Sequence, residues 1–147
     1  MSMFDTMEIS SSGWSAQRTR MKVISSNIAN INTTRTPGGG PYRRRDVIFG
    51  ALPAEKNFLK ELTERTEDGG TRHVKVLGIV EDSRAPKLKY DPHHPDANEE
   101  GYVELPNVDI TEEITNMMIS KRSFEANIAA INATKNMIAN TLDIGKS

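Results

Sequence analysis

The stretch SSNIANINTTRTPGGGPYRRR, residues 25–45, starts as a helix and ends as a loop. Up to Ile31 the apolar residues recur at helical spacing, and after Thr33 proline, glycine and arginine replace them. Glycine and proline are the strongest local breakers of regular structure. The stretch therefore predicts that a long helix ends here, and that glycines 38–40 give the backbone the freedom to turn outward.

Residues that break helices are confined to the middle of the chain. None of the seven prolines lies in the first 36 or the last 41 residues, and eight of the ten glycines fall between positions 38 and 101. This distribution predicts three segments: an N-terminal helix within residues 1–32, a middle domain over residues 33–106, and a C-terminal helix within residues 107–147.

The N-terminal segment predicts a helix from about residue 5 to residue 32. Asp5 and Glu8 have the spacing of a capping box, and Phe4 and Ile9 have that of a hydrophobic staple. Gly13 weakens a helix interior and indicates fraying, a bend or close packing. The apolar positions that follow take heptad-like steps: Trp14, Met21, Ile24, Ile28 and Ile31.

The C-terminal segment carries the longer helical pattern. Asp109 and Glu112 repeat the capping-box spacing, and Gly145 marks the end. A helix over residues 110–144 would be about 52 Å long at about 1.5 Å per residue. Its predicted seam alternates steps of four and three residues: Ile110, Ile114, Met117, Lys121, Phe124, Ile128, Ile131, Lys135, Ile138 and Leu142.

Two long helices at opposite ends of a chain, each with one narrow apolar seam, most simply pack on each other as a coiled coil. This packing brings the termini together and leaves the middle as a projecting insert. Asparagine is a mediocre helix former, so asparagines at the seam edges indicate hydrogen bonds to neighbouring helices that fix register; solvated positions are the alternative. These residues are Asn27, Asn30, Asn127, Asn132, Asn136 and Asn140.

Short β-type runs recur through the middle segment, at residues 46–49, 73–82, 87–90 and 101–105. Together they predict a small antiparallel β unit. The predicted fold class is therefore α+β, with long terminal helices and a small β-rich middle domain. Residues 54–70 fit either a short helix or a mobile loop, and the sequence does not distinguish between the two.

The composition argues against several classes of protein. Lysine and arginine number 19 against 20 aspartates and glutamates, so no dominant nucleic-acid or membrane-surface partner is indicated. No window approaches the roughly 18 consecutive apolar residues of a membrane span, and the first 20 residues lack the apolar run of a cleavable secretion signal. With 36% hydrophobic residues against a usual share of about 45–50%, the core is expected to be thin or completed by partners.

The run YDPHHPDAN, residues 90–98, holds residue types that bind metals. Adjacent histidines on an extended chain point in opposite directions, and two prolines stiffen the loop. We therefore expect a rigid turn with aspartate caps. A metal-dependent hydrolase built on Asp91, His93, His94 and Asp96 is the less favoured alternative.

The run YRRR, residues 42–45, is a basic cluster beside an aromatic residue. No other basic face supports a nucleic-acid site, so pairing with carboxylates of a neighbouring chain is the favoured interpretation. The PGGG run lacks the lysine and hydroxyl residue of a phosphate loop, no cysteine is present, and serines 10–12 have no histidine close in sequence. The chain is therefore expected to be neither an enzyme nor a cofactor-binding protein.

Two terminal motifs carry a family resemblance. SSNIANINT, residues 25–33, and MMISKRSFEAN, residues 117–127, resemble the paired terminal motifs of bacterial flagellar rod and hook proteins. The middle stretches NINTTRTPGGGPYRRRDVIF and LKYDPHHPDANEEGYVELPNVDITEEI look like one branch of that family, the proximal rod proteins. The resemblance covers essentially the whole chain, with residues 51–72 as the departure.

The resemblance implies a structural subunit of the basal-body rod, exported to the periplasm by the flagellar type III apparatus without a cleaved signal. Such subunits assemble helically with copies of themselves and with other rod proteins into a drive shaft that transmits torque. Their terminal helices form an inner coiled-coil layer around the export channel, and the middle forms an outer domain. No cofactor, nucleic acid or membrane insertion is implied. A soluble adaptor that binds one partner through its terminal helices is the alternative function.

On this interpretation each subunit buries its helical seams partly against other subunits. The expected assembly-interface residues are Met21, Ile24, Ile28, Ile31, Ile114, Met117, Phe124, Ile128, Ile131, Ile138 and Leu142. The expected loop contacts between subunits are Tyr42, Arg43, Arg44, Asp91, His94 and Asp96.

Overall fold

A computed structural model describes residues 3–53 and 72–145 of the chain. Helix α1 spans Met3–Ala29 and helix α2 spans Ile110–Ile144. Between them lie four strands: β1 (Arg45–Pro53), β2 (Arg72–Glu81), β3 (Lys87–Tyr90) and β4 (Tyr102–Leu105). The predicted α+β class and the positions of the four strands are confirmed. Both alternatives for residues 54–70 concern a segment outside the described residues.

Helix α2 begins and ends where the sequence predicts. The Asp109 carboxylate accepts hydrogen bonds from the backbone N–H groups of Thr111 (2.8 Å) and Glu112 (3.2 Å). The bonds from Glu112 and Thr111 stabilise the charged form and hold the pKa of Asp109 below its usual value. The helix runs for 35 residues and stops before Gly145. Within the described residues, no helix combines the length and the apolar character that crossing a membrane requires.

The predicted start of α1 needs correction. The helix already includes Met3 and Phe4, so Asp5 lies in its first turn and does not cap it. The capping box and the staple built on Asp5 are therefore wrong. A carboxylate in the first turn is still favourable, because it lies at the positive end of the helix dipole. At its other end the helix stops at Ala29, three residues earlier than predicted, and continues as a turn.

The two helices pack side by side in opposite directions. Near the middle of α1 the ring of Trp14 stacks at a tilt on Phe124 of α2, with 5.7 Å between ring centroids. At the C-terminal end of α1, Asn27 Nδ2 donates a hydrogen bond to Glu113 near the start of α2. These two contacts set an antiparallel register, which brings the ends of the chain to the same end of the helix pair.

Half of the predicted seam of α2 is rotated by one residue. Four of its apolar positions are half-buried: Met117, Phe124, Ile131 and Ile138. At the alternating positions the chain buries polar residues instead, namely Glu113, Ser120 and Thr134. The residues that the pattern assigned there are exposed: Ile114, Lys121, Ile128 and Lys135. Hydrogen bonds fix the rotation of α2 about its axis, because Glu113 can reach its partners only when it faces α1.

The asparagines near the seam have mixed roles. Asn27 makes the predicted bond to a neighbouring helix. Asn30, just after α1, instead donates to the Ser26 carbonyl of that helix, and Asn127 donates to the Ser123 carbonyl of α2. The remaining three are exposed, which agrees with the alternative that they are solvated positions: Asn132, Asn136 and Asn140.

Gly13 marks a close approach of the two helices. A Cβ atom at this position would lie 3.0 Å from Asn127 Oδ1 and 3.1 Å from Asn127 Nδ2, so close packing explains the glycine. Alanine improves helix propensity over glycine by about 1 kcal/mol, but here it must displace the amide. We expect Gly13→Ala to raise the free energy of unfolding only when Asn127→Ala removes the crowding. A urea-unfolding double-mutant cycle measures this difference, and equal effects of Gly13→Ala in both backgrounds would contradict it.

Strands β1 and β2 form an antiparallel hairpin that lies along α1. Val47 pairs with Ile79, and a bulge interrupts the register between Ile48 and Phe49. The Arg20 guanidinium lies over the ring of Phe49, with 6.0 Å between its Cζ atom and the ring centroid. The backbone N–H of Val74 donates to Ser12 Oγ at 3.1 Å. This part of the middle segment therefore folds back on the helix and is not a projecting insert.

The loop after α1 explains how the chain turns back. Gly39 and Gly40 have φ angles of 85° and 71°, which confirms the expected need for glycine. The backbone N–H of Tyr42 donates to the Thr33 carbonyl at 3.0 Å and closes the loop. The chain thus returns to the end of α1 before β1 begins, because this hydrogen bond joins the two ends of the loop.

Strands β3 and β4 form a second, separate antiparallel hairpin. The rings of Tyr90 and Tyr102 meet edge to face, with centroids 5.3 Å apart. In the parts of the chain that the structure describes, no residue of either strand comes within 8 Å, Cα to Cα, of a helix or of the β1–β2 hairpin. The predicted β unit therefore consists of two independent hairpins, of which only the first lies on α1.

Candidate functional site

A cluster of buried polar side chains joins three segments of the chain at one end of the helix pair. We call it the joint and define it as Asn27 from α1, Tyr42 and Arg44 from the segment before β1, and Glu113 from α2. Asn27 and Glu113 are fully buried, and Tyr42 and Arg44 are nearly so. Buried polar groups are costly unless they are hydrogen-bonded, so the bonds within the joint decide whether it is stabilising.

The Asn27 amide uses its full hydrogen-bonding capacity. Its Nδ2 donates to the Arg45 carbonyl (2.8 Å) and to Glu113 Oε2 (2.9 Å). Its Oδ1 accepts from the Arg45 backbone N–H (2.9 Å) and from the Tyr42 hydroxyl (3.0 Å). An amide has two donors and two acceptor positions, and all four are occupied. Asn27 therefore pairs with the backbone of residue 45 as a neighbouring strand would.

The Glu113 carboxylate is paired as well as hydrogen-bonded. Its Oε1 accepts from Arg44 Nε at 2.7 Å, and Arg44 also lies near Asp46 and Glu112, at 3.4 and 3.5 Å. Burial by itself would lower the pKa of the Arg44 guanidinium, but the hydrogen bond to Glu113 and the three nearby carboxylates raise it overall. The Arg44 guanidinium therefore stays charged, and its hydrogen bond to Glu113 is a fixed structural contact.

The arginine run finds most of its carboxylates within the chain. Arg44 bonds Glu113, and Arg45 pairs with Glu81 at 3.0 Å. This differs from the expected pairing with a neighbouring chain, because the closed loop carries the run back over the start of α2. Only Arg43 is exposed with no partner among the described residues. Contacts between subunits through Tyr42, Arg43 and Arg44 stay a prediction.

The residues of the DPHHPD run form the expected turn, but a histidine side chain and not an aspartate accepts from its backbone. Asp96 accepts a hydrogen bond from Thr34 Oγ1 at 2.8 Å, and His94 Nδ1 accepts one from the Asp96 backbone N–H at 3.1 Å. Asp91 pairs with Lys89 at 3.6 Å. Across residues 3–53 and 72–145, no three side chains of His, Asp or Glu come together as metal ligands. These groups thus hold the turn and tie it to the loop after α1.

The predicted assembly residues divide into two groups in the single chain. The first group is buried or half-buried: Met21, Ile24, Ile28, Ile31, Met117, Phe124, Ile131 and Ile138. The second is exposed: Ile114 by 47%, Ile128 by 36% and Leu142 by 60%. Their role between subunits stays a prediction, and the second group is the one whose apolar surface the chain itself leaves uncovered.

Sequence reasoning missed Glu113 and its link to Arg44. The signal was present, since three consecutive arginines need carboxylates and Glu113 follows the Asp109 cap by one helical turn. Apolar spacing alone places the seam at Ile110 and Ile114, and it therefore predicts that Glu113, which lies between them in sequence, is exposed to solvent. Asn107 was missed as well; its Oδ1 accepts from the Arg44 backbone N–H at 3.2 Å.

Comparison with known proteins identifies the family. A family model described as "Flagella basal body rod protein" matches residues 7–35, and one described as "Flagellar basal body rod FlgEFG protein C-terminal" matches residues 99–144. A flagellar basal-body rod protein FlgC from Borreliella burgdorferi is 43% identical over 150 residues, which cover 98% of both chains. FlgC of Bacillus subtilis is 43% identical over 152 residues, covering 99% of this chain and 100% of the relative. The chain belongs to the FlgC family of flagellar basal-body rod proteins.

Membership of the FlgC family confirms the resemblance drawn from the terminal and middle motifs. A more distant FlgC, from Salmonella typhimurium, is still 35% identical over 148 residues, covering 99% of this chain and 100% of the relative. The FlgC family is structural and not enzymatic, in agreement with the expectation from the sequence. The joint connects both matched regions of this FlgC-family chain, because Asn27 lies in the first and Glu113 in the second.

Proposed function

We propose that the chain is a structural subunit of the proximal flagellar rod, which assembles helically with copies of itself and with other rod proteins. The observation that carries the proposal is the near-complete alignment with FlgC proteins, which includes the middle segment as well as both helices. The subunit would reach the periplasmic rod through the flagellar type III export apparatus, the route that the family resemblance implies.

In this proposal the terminal segments, residues 1–32 and 107–147, form an inner coiled-coil layer around the export channel. The middle segment, residues 33–106, forms the outer domain. The exposed group on α2 supports an inner layer shared between subunits, since Ile114, Ile128 and Leu142 present apolar surface that neighbouring helices can cover. Full burial of a fully exposed side chain of this kind contributes about 1.5–3 kcal/mol, and covering the exposed 36–60% of each contributes a corresponding share, so a few per subunit favour assembly.

The outer domain would contribute polar contacts to the same assembly. Arg43 supports this part of the proposal, because it is an exposed cation with no carboxylate partner in the described residues. Exposed ion pairs contribute about 0–1 kcal/mol each. We therefore assign these loop contacts a role in the alignment of neighbouring subunits, while the helices supply most of the binding free energy.

Deletion and complementation test the proposed function. Cells that lack the chain should not swim, and the restored chain should be found by mass spectrometry in purified basal bodies. A chain that is absent from basal bodies and that purifies as a soluble one-to-one complex would support the adaptor instead.

A further inference from the structure

The β3–β4 hairpin is held by short connecting segments and not by the helices. In the described parts of the chain no residue of β3 or β4 comes within 8 Å, Cα to Cα, of a helix or of β1–β2. At its open end Lys87 Nζ donates to the Val108 carbonyl at 3.0 Å, in the turn at its other end Asp96 binds Thr34, and between them Val103 of β4 is buried. The direction in which this hairpin points, relative to the helix pair, therefore depends on how those segments are fixed.

Two of the segments that hold the hairpin lead directly into the joint. The loop after α1 continues into Tyr42 and Arg44. Strand β4 continues through the buried Pro106 to Asn107, which accepts from the Arg44 backbone N–H. From Asn107 the chain enters the cap of α2 two residues later. The joint thus contacts both the loop after α1 and the segment between β4 and α2.

We propose that Asn27, Arg44 and Glu113 are positioning residues that set the orientation of the β3–β4 hairpin relative to the α1–α2 pair. The physical reason lies in the directionality of their bonds. A buried ion pair adds little net stability compared with apolar residues of the same size, but its hydrogen bonds admit only one geometry. The four bonds of Asn27, one of them to Glu113, and the bond from Arg44 to Glu113 define that geometry for three chain segments at once.

If the chain assembles helically, as the proposed function has it, each copy must hold the hairpin in the same orientation. Contacts between unlike faces of identical subunits repeat regularly only when each copy has the same shape. The hairpin carries exposed Leu88, Tyr90 and Tyr102. When the orientation of the hairpin relative to the helix pair is fixed, these side chains lie in the same place on each copy.

Distance measurements between spin labels test the orientation directly. The chain has no cysteine, so Leu88→Cys and Arg122→Cys place one label on β3 and one on the exposed side of α2. A second pair, Ser11→Cys and Ala133→Cys, reports on the helix pair alone. In the otherwise unchanged full-length chain, both pairs should give a single narrow distance distribution.

The decisive variant replaces the ion pair by apolar residues, Arg44→Met together with Glu113→Leu. We expect it to lower the thermal unfolding midpoint far less than Arg44→Ala does, because no charge is left buried without a partner and only Asn27 Nδ2 loses an acceptor. The Leu88–Arg122 label pair should lose its narrow peak, while the Ser11–Ala133 pair keeps it. A role in stability alone would leave both distributions narrow, and that result would overturn the proposal.

A second variant covers the case in which the double replacement does not fold. Glu113→Gln keeps the shape but loses an acceptor, so that an amide donor faces Asn27 Nδ2 or the Arg44 guanidinium. The same selective broadening is expected, and an unchanged Leu88–Arg122 distribution in Glu113→Gln would overturn the proposal.

Swimming of cells that carry Glu113→Gln should be reduced. If deletion of the whole chain leaves swimming intact, the proposed function fails, while the label distances still decide the orientation.

Discussion

Arg44→Ala is expected to lower the free energy of unfolding by about 3–5 kcal/mol, because it leaves the buried Glu113 carboxylate without its cation. In a chain of this size each kcal/mol lowers the melting temperature by about 2–4 °C. Urea unfolding followed by circular dichroism measures the loss. The effect should be among the largest of any single replacement, since no solvent reaches Glu113 to compensate the charge.

The neighbouring arginine provides a matched control. Arg43 is exposed and has no partner in the described residues, so Arg43→Ala should change the free energy of unfolding by less than about 0.5 kcal/mol. Two adjacent residues of the same type would then differ severalfold in cost. Equal effects at positions 43 and 44 would show that the joint does not hold the chain together as described.

Ile128→Asp is expected to abolish swimming while it leaves the isolated chain nearly unaffected. Ile128 is 36% exposed in the single chain, so a carboxylate there remains partly hydrated, and its cost should be about 1 kcal/mol or less. In the proposed rod a neighbouring helix covers the position. Burial of an unpaired charge then costs several kcal/mol, and assembly should stop. Motility and the presence of the variant in purified basal bodies are the measurements, with urea unfolding of the purified chain beside them.

Two further variants show where such an effect originates. Glu125→Ala removes only an exposed pair with Lys121, 3.7 Å apart, and should be mild in both assays. Ile131→Asp places the charge at a half-buried seam position, so it should destabilise the isolated chain as well. Normal swimming of Ile128→Asp cells, with the variant incorporated in their rods, would remove this position from the proposed interface.

Local rules explain the elements that the sequence predicts well. The proline and glycines at 37–40 predict the end of α1 to within three residues, and the start of α2 follows from the Asp109 cap. The four strands follow from β-type runs between turn residues. Each of these signals acts over one or two turns of chain, so a single sequence is enough to detect it. The start of α1 is the exception. The spacing of Asp5 and Glu8 is compatible with Asp5 as the capping residue and also with Asp5 inside the first turn, so the sequence does not distinguish the two.

The sequence by itself therefore determined the two long helices, the two breaks and the strands of the middle segment, as well as the family through its motifs. Only the tertiary structure decided the rotation of α2, the return of β1–β2 along α1 and the burial of Arg44 and Glu113. These features depend on partners far apart in sequence, 86 positions between Asn27 and Glu113 and 69 between Arg44 and Glu113. Apolar periodicity favours Ile114 in the seam. However, burying the Glu113 carboxylate without its hydrogen bonds would cost more free energy than exposing an isoleucine. The polar contacts therefore decide which face of α2 turns inward.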